Sequence, residues 1–200
     1  MAKRSQSERS ASTQEALLNA TIECLVELGY QKTTTTEVCR RAGVSRGAQL
    51  HHYPTKAELL VAAVEHLCAR RHEEFRHLVT LSASSKQRVS TAFEELWKIY
   101  SGPTLNAWIE VSVASRTDPA LNEHMCRLNR RVESATEKTL RELFGIAESV
   151  PAKASVRMVL SLLDGLALRT ILQDETSARE ALRVFQFLVT PYLGKSGTST

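Results

Sequence analysis

The sequence predicts an all-α fold of about nine helices. Apolar residues recur three and four positions apart in nearly every segment, as one face of a helix requires. Ser, Thr or Asp stands three residues before Glu or Gln at several points, the signature of a capped helix start. No segment alternates apolar and polar residues as a half-buried strand would.

Residues 1–11 read as a disordered basic arm. Ser12 with Glu15 then forms a candidate capping box. Leu18, Ile22 and Leu25 follow at helical spacing up to Gly29-Tyr30. Thr34 caps a second helix, with Glu37 reaching back to its amide and Val38, Cys39 and Ala42 as its apolar face. Gly43 ends it, because a left-handed residue costs glycine nothing. Ser45 caps a third helix running to about Tyr53, and Pro54 closes the unit. That third helix carries Arg46, Gln49, His51 and His52 and little that is apolar. A short polar helix just after a glycine turn is what a major-groove probe requires, so residues 12–56 read as a helix-turn-helix DNA-binding domain.

The remainder, 57–193, continues in helices, with 194–200 a flexible tail. Thr55 with Glu58 opens a helix to roughly Leu81; Ser84 with Gln87 opens another, stopped by Ser101-Gly102-Pro103. Leu105 to Ser115 forms a sixth helix. Asp118-Pro119 starts a seventh, ending near Phe144 at Gly145. Val150-Pro151 opens the eighth, and Ser177 with Glu180 the ninth. The last two are apolar on more than one face, which a small protomer cannot bury alone. A dimer can bury them by pairing both into a four-helix bundle. The expected interface holds Met158, Ser161, Leu162, Gly165, Leu168, Leu182, Phe185, Leu188, Val189 and Tyr192.

Charge and cysteine usage narrow the class. The net charge is only +4 at pH 7. Within residues 1–56, Lys3, Arg4, Arg9, Lys32, Arg40, Arg41, Arg46 and Lys56 outweigh Glu8, Glu15, Glu23, Glu27 and Glu37, so the excess sits at one end, as a phosphate-binding module on a neutral body would have it. Cys24, Cys39, Cys68 and Cys126 lie far apart with no C-x-x-C pair and read as buried free thiols, suiting a reducing cytoplasm. The N-terminus lacks the apolar core of a secretory signal, and no apolar run is long enough for a membrane span. His51 and His52 point about 100° apart on a helix and do not chelate one ion well, so neither metal nor cofactor is expected. No Gly-rich phosphate loop, H-E-x-x-H or nucleophile elbow supports an enzyme on a helical bundle, and a non-regulatory interaction protein is the other alternative.

In the order of its motifs the chain resembles the TetR family of bacterial transcription regulators. The first helix ending in Gly29-Tyr30, the run of threonines, Arg41-Ala42-Gly43-Val44-Ser45-Arg46-Gly47, His51-His52-Tyr53-Pro54-Thr55-Lys56 and Glu58-Leu59-Leu60 carry the resemblance. It implies a homodimer whose repression is relieved when a small molecule binds, and a two-fold protein is expected to read a palindromic DNA operator; the aromatic density of residues 93–108 makes the expected effector largely apolar. The resemblance places Thr34, Thr35 and Thr36 near the DNA backbone, and Ser45, Arg46, Gly47 and Ala48 where the reading helix meets base edges. Arg46 is the expected base reader, because guanidinium pairs with guanine O6 and N7. His51 and His52 fall at base-or-phosphate positions, and Lys56 at a phosphate. Gln49-Leu50 stands where the family often has an apolar residue followed by Tyr, so Gln49 either reads adenine or occupies a core position. A ligand pocket is expected among Phe75, Phe93, Trp97, Tyr100, Trp108, Met125 and Leu128, with Glu110 and Arg116 as orienting groups.

Overall fold

The computed structural model describes residues 5–81, 84–144, 150–172 and 174–193, with nine helices among them. They are α1 (Gln6–Lys32), α2 (Thr35–Ala42), α3 (Arg46–His52), α4 (Lys56–Thr80), α5 (Ser85–Tyr100), α6 (Pro103–Ser115), α7 (Pro119–Phe144), α8 (Val150–Arg169) and α9 (Glu175–Leu193). The expected tail, 194–200, and the expected stop at Gly145 lie outside the described residues.

Helix starts follow side-chain capping. The hydroxyls of Thr34, Ser45, Thr55 and Ser84 accept the amides of Glu37, Ala48, Glu58 and Gln87 at 3.1–3.2 Å. Asp118 accepts the Leu121 amide at 3.0 Å. Each such cap is worth about 1 kcal/mol. Two starts differ from expectation. The first helix begins at Gln6, because Ser5 and Glu8 exchange a complete capping box at 3.1 and 2.7 Å. Residues 6–11 are therefore helix, where an unstructured arm was expected. The last helix begins at Glu175, because the Asp174 carboxylate takes the Thr176 amide at 2.8 Å before Ser177 can serve.

The chain divides into two compact units. The first comprises residues 1–69 and 106–129, a grouping that differs from the expected segments 12–56 and 57–193. Its N-terminal core is Leu17, Ala20 and Cys24 from α1, Val38 and Cys39 from α2, and Leu59 from α4. Leu28, Ala42, Val44 and Tyr53 pack on it half-buried. Gly43 closes α2 in the left-handed region at φ 64°, and Val44 N–H turns back to the Cys39 carbonyl at 3.0 Å, aiming the chain into α3.

Gly29 breaks the regularity of α1, with φ 72° and ψ 176°. Only glycine occupies that region without strain. The break turns the Tyr30 amide outward, where the Glu110 carboxylate of α6 accepts it at 2.6 Å. A Cβ at position 29 would stand 3.1 Å from Glu110 Oε2.

The second unit comprises residues 70–105 and 130–200. Phe75, Val79, Phe93, Leu96, Trp97, Leu140, Val156, Leu163, Ala167 and Leu182 are buried in it. Trp97 donates its indole N–H to Glu175 at 2.8 Å, and Phe93 meets Phe185 edge-on with centroids 5.9 Å apart. His72 and Thr139 share a hydrogen bond of 2.8 Å, and burial pushes the His72 pKa down. Among the described residues no helix is long and apolar enough to cross a membrane.

The Gly29→Ala change is expected to destabilise the protein by about 1–3 kcal/mol, through backbone strain and the crowded carboxylate. Urea unfolding of both forms measures it. A loss under about 0.3 kcal/mol would mean the break can be taken up elsewhere.

Candidate DNA-reading surface

Helix α3 has two sides of different character. Arg46, Gly47, Leu50 and His51 are exposed, whereas Gln49 is fully buried and Ala48 and His52 are half-buried. The exposed set follows the i, i+1, i+4, i+5 spacing of a single helix face. Ser45 stands exposed at its start. Gly47 contributes bare backbone to this face, since an added Cβ would meet nothing nearer than the Ser45 hydroxyl at 4.0 Å.

Gln49 answers the question its position raised. Its Nε2 donates to the Tyr53 carbonyl at 2.5 Å, inside the protein, and its Oε1 is buried without a hydrogen-bond partner. A fully buried amide held in this way cannot reach a base edge, so Gln49 leaves the set of expected DNA contacts. It occupies the inward register that it shares with Tyr53, four residues on. The residue turned outward instead is Leu50, which is 44% exposed and absent from the sequence-based site. The signal that could have found it was helix spacing: position 50 lies four residues after Arg46 and so shares its exposed face.

The flanks of α3 are held by charge. Glu37 accepts both Arg40, at 2.6 and 2.8 Å, and Arg41, at 2.8 Å. Those hydrogen bonds hold its carboxyl down at about 2. The carboxylate does not return to the Thr34 amide as a full capping box would; the two guanidinium groups take it. Arg41 also reaches Glu27 at 2.7 Å and so ties α2 to α1, while Arg40 lies exposed. Thr34 and Thr36 are exposed and Thr35 half-buried, and Arg46 donates to the Thr35 hydroxyl. This bond draws the guanidinium over the start of α2 and leaves other N–H groups of the fork for a ligand.

Lys56 is half-buried. Its Nζ donates to the Tyr30 carbonyl at 3.2 Å and lies 4.3 Å from the Tyr30 ring centroid. Burial pushes its pKa down. Lys56 therefore braces the break in α1, an internal role that the sequence did not show.

The residues expected to line a ligand pocket divide between the units. Phe75, Phe93, Trp97 and Tyr100 belong to the second, and Trp108, Glu110, Met125 and Leu128 to the first. Phe75, Phe93, Trp97, Met125 and Leu128 are buried, Tyr100 and Trp108 half-buried, and Arg116 exposed in the turn before α7. Glu110, expected to orient a ligand, accepts the Tyr30 amide with its Oε2. Nothing local in sequence could have shown this, because the partner lies 80 residues away.

On α8 and α9 the expected interface residues separate by exposure. Met158, Ser161, Gly165, Leu168 and Leu188 are exposed, and Leu162 and Val189 half-buried. Leu182 is corrected to the protomer's own core, and Phe185 is half-buried against Phe93. The side chain of Tyr192 lies outside the described residues. Val184 and Phe187, at 60% and 77% exposure, are apolar groups on α9 that the expected interface left out. Cys24 and Cys39 are buried, but Cys126 is exposed on α7, against the expectation of four buried thiols. Among the described residues no group of three or more His, Cys, Asp or Glu is placed to hold a metal ion.

The Gln49→Leu change is expected to alter stability by less than about 1 kcal/mol, because removing a buried unpaired acceptor offsets the loss of the bond to the Tyr53 carbonyl. The DNA preference should stay the same. Thermal unfolding and binding to a fixed duplex set check the two halves. A changed base preference would restore Gln49 as a reader.

Comparison with known proteins follows this geometry. Residues 17–63 match the family described as bacterial regulatory proteins, tetR family. Residues 85–190 match the C-terminal region of the BetI-type transcriptional repressor. The chain is 29% identical over 184 residues to the HTH-type transcriptional regulator CymR of Pseudomonas putida, covering 90% of each chain. It is 27% identical over 164 residues to the HTH-type transcriptional regulator BetI of Serratia proteamaculans, covering 80% of this chain and 81% of that one. In fold it is similar to the crystal structure of a TetR transcription regulator from Haloarcula marismortui, with TM-score 0.68 and 23% identity, covering 91% of this chain and 98% of the other. The N-terminal match spans α2, α3 and the turn between them, the elements that carry the outward face, and the C-terminal match spans more than half the chain: the protein belongs to the TetR family of bacterial transcription regulators.

Proposed function

We propose that the protein is a cytoplasmic, homodimeric repressor that reads a palindromic operator with α3 and is released by a small, largely apolar effector. The observation that carries this reading is the outward face of α3: an arginine, a bare glycine backbone, a leucine and a histidine, beside a helix start rich in hydroxyls. Arg46 is the base reader, through guanine O6 and N7. Gly47 and His51 share the exposed face with Arg46, Ser45 is exposed at the helix start, and Ala48 and His52 are half-buried beside that face. Thr34, Thr35 and Thr36 meet the DNA backbone, and Lys56 adds positive potential from its braced position. Repression is supported by the BetI-type match of the C-terminal region.

The apolar character of the effector is supported by the interior of the second unit. Its buried side chains are mainly aliphatic and aromatic, with Thr104, Thr136 and Thr139 as buried polar groups. Such an effector releases DNA only by favouring a conformation whose two reading helices no longer match successive grooves. By linkage, operator DNA then weakens effector binding by the same factor.

Dimerisation is supported by the apolar exposure of Met158 and Leu168 on α8 and of Val184, Phe187 and Leu188 on α9. Two-fold symmetry sets the half-sites about 34–36 Å apart or a multiple of that.

The base-reading role is tested by titrating wild type and the Arg46→Ala variant against a specific and a scrambled duplex. The variant should lose roughly 1–3 kcal/mol on the specific duplex and little of that difference on the scrambled one. Equal losses on both would make Arg46 a phosphate contact.

The interface is tested with Gly165→Arg. Position 165 is exposed and a Cβ there meets nothing within 4 Å, so the protomer has room for a side chain to leave toward solvent. Sedimentation should give a dimer for wild type at micromolar concentration and a monomer for the variant. A wild-type monomer at that concentration would refute the α8–α9 interface.

A further inference from the structure

We infer that Leu50 is a specificity-determining residue of α3 that meets the C5 methyl group of a thymine. The inference rests on α3 being the helix that enters the major groove. Among the described residues 5–69, Leu50 is the one large apolar side chain that is exposed. Every other leucine, isoleucine and valine of that segment is at least half-buried. The exposure is imposed from inside. Gln49 is locked by its hydrogen bond to the Tyr53 carbonyl and is fully buried, which fixes the register of α3 and leaves Leu50 on the exposed side with Arg46 and Gly47.

Leu50 lies four residues after Arg46, on the same face, with Gly47 beside it and no side chain between it and an approaching groove. Four residues of helix advance about 6 Å, or roughly two base-pair steps of 3.4 Å. Pressed against base edges, an isobutyl group can neither donate nor accept a hydrogen bond. Over a cytosine amino group or a purine N7 it strips water and returns nothing. Over thymine it finds an apolar partner in the groove, the C5 methyl group. Leu50 thus selects thymine both by contact and by the penalty it imposes on the other bases.

The test isolates that methyl group. The full-length protein selects its preferred duplex from a random pool. Each thymine of that duplex is then replaced singly by deoxyuridine, which lacks only the C5 methyl group. Wild type should lose affinity about fourfold at one thymine in each half-site, the worth of one buried methyl-sized group. That thymine should lie about two base pairs from the guanine whose loss matches the Arg46→Ala defect. The Leu50→Ala variant, which changes an exposed side chain and should fold as wild type does, should bind thymine and deoxyuridine duplexes equally at that position. A preferred duplex insensitive to every deoxyuridine replacement would overturn the role of Leu50 and leave α3 as the probe. The same holds if Leu50→Ala keeps the full fourfold sensitivity. A pool that yields no preferred sequence would refute the reading of α3 itself, and Leu50 with it.

Discussion

A helix of seven residues cannot hold its own shape in water, because nucleation costs more than so few hydrogen bonds return. Helix α3 is that short, and the chain around it supplies what it lacks. Ser45 caps its first turn, and the left-handed Gly43 aims it. Gln49 is its one fully buried side chain, and Tyr53 anchors its far end on the core of α1, α2 and α4. Apart from the bond of Arg46 to the Thr35 hydroxyl, the outward residues make no contribution to the buried core. This division of labour sets a rigid probe on a small unit. The ion pairs of Glu37 with Arg40 and Arg41, and of Arg41 with Glu27, hold the neighbouring helix in register without adding to the buried core.

Most of the fold was legible because most of it is decided locally. Caps at Thr34, Ser45, Thr55, Ser84 and Asp118 act within three residues, so a reader of the sequence sees both partners at once. Errors arose where two local solutions compete. Ser5 and Ser12 each head a possible box, and the earlier one prevails although residues 6–11 bury almost nothing. Asp174 and Ser177 compete in the same way, and the carboxylate, a charged acceptor at a helix N-terminus, takes the cap.

The site was less legible than the fold, for a different reason. Residue type left Gln49 as either a reader or a core residue and gave Leu50 no role, and the structure buries the first and exposes the second. Polarity is a poor guide to which side of a short helix faces out when a backbone carbonyl can take the amide N–H of a buried side chain. Glu110 was read as a ligand group because its apolar neighbours Trp108, Ile109 and Val111 made it resemble a polar group within a pocket wall. Lys56 was read only as a cation for phosphate, and its hold on Tyr30 depends on a fold that brings positions 30 and 56 together. The terminal helices show the converse. Their excess of apolar faces was plain in the sequence, but only exposure separates Leu182, used inside the protomer, from Phe187, left on its surface.

The junction at Tyr30 is made through the main chain. Its N–H goes to Glu110 and its carbonyl to Lys56, so both bonds survive almost any side chain at position 30. The ring contact with Lys56 is the part that a substitution there removes. An alanine scan would therefore pass over the residue at the centre of this junction and register only its edges. The chemical identity that matters is displaced onto three other positions: a glycine at 29 to turn the amide, a carboxylate at 110 to receive it, and an ammonium at 56 to bind the carbonyl. The main-chain bonds of position 30 thus depend on side chains supplied from elsewhere, while the Tyr30 ring adds its own contact with Lys56.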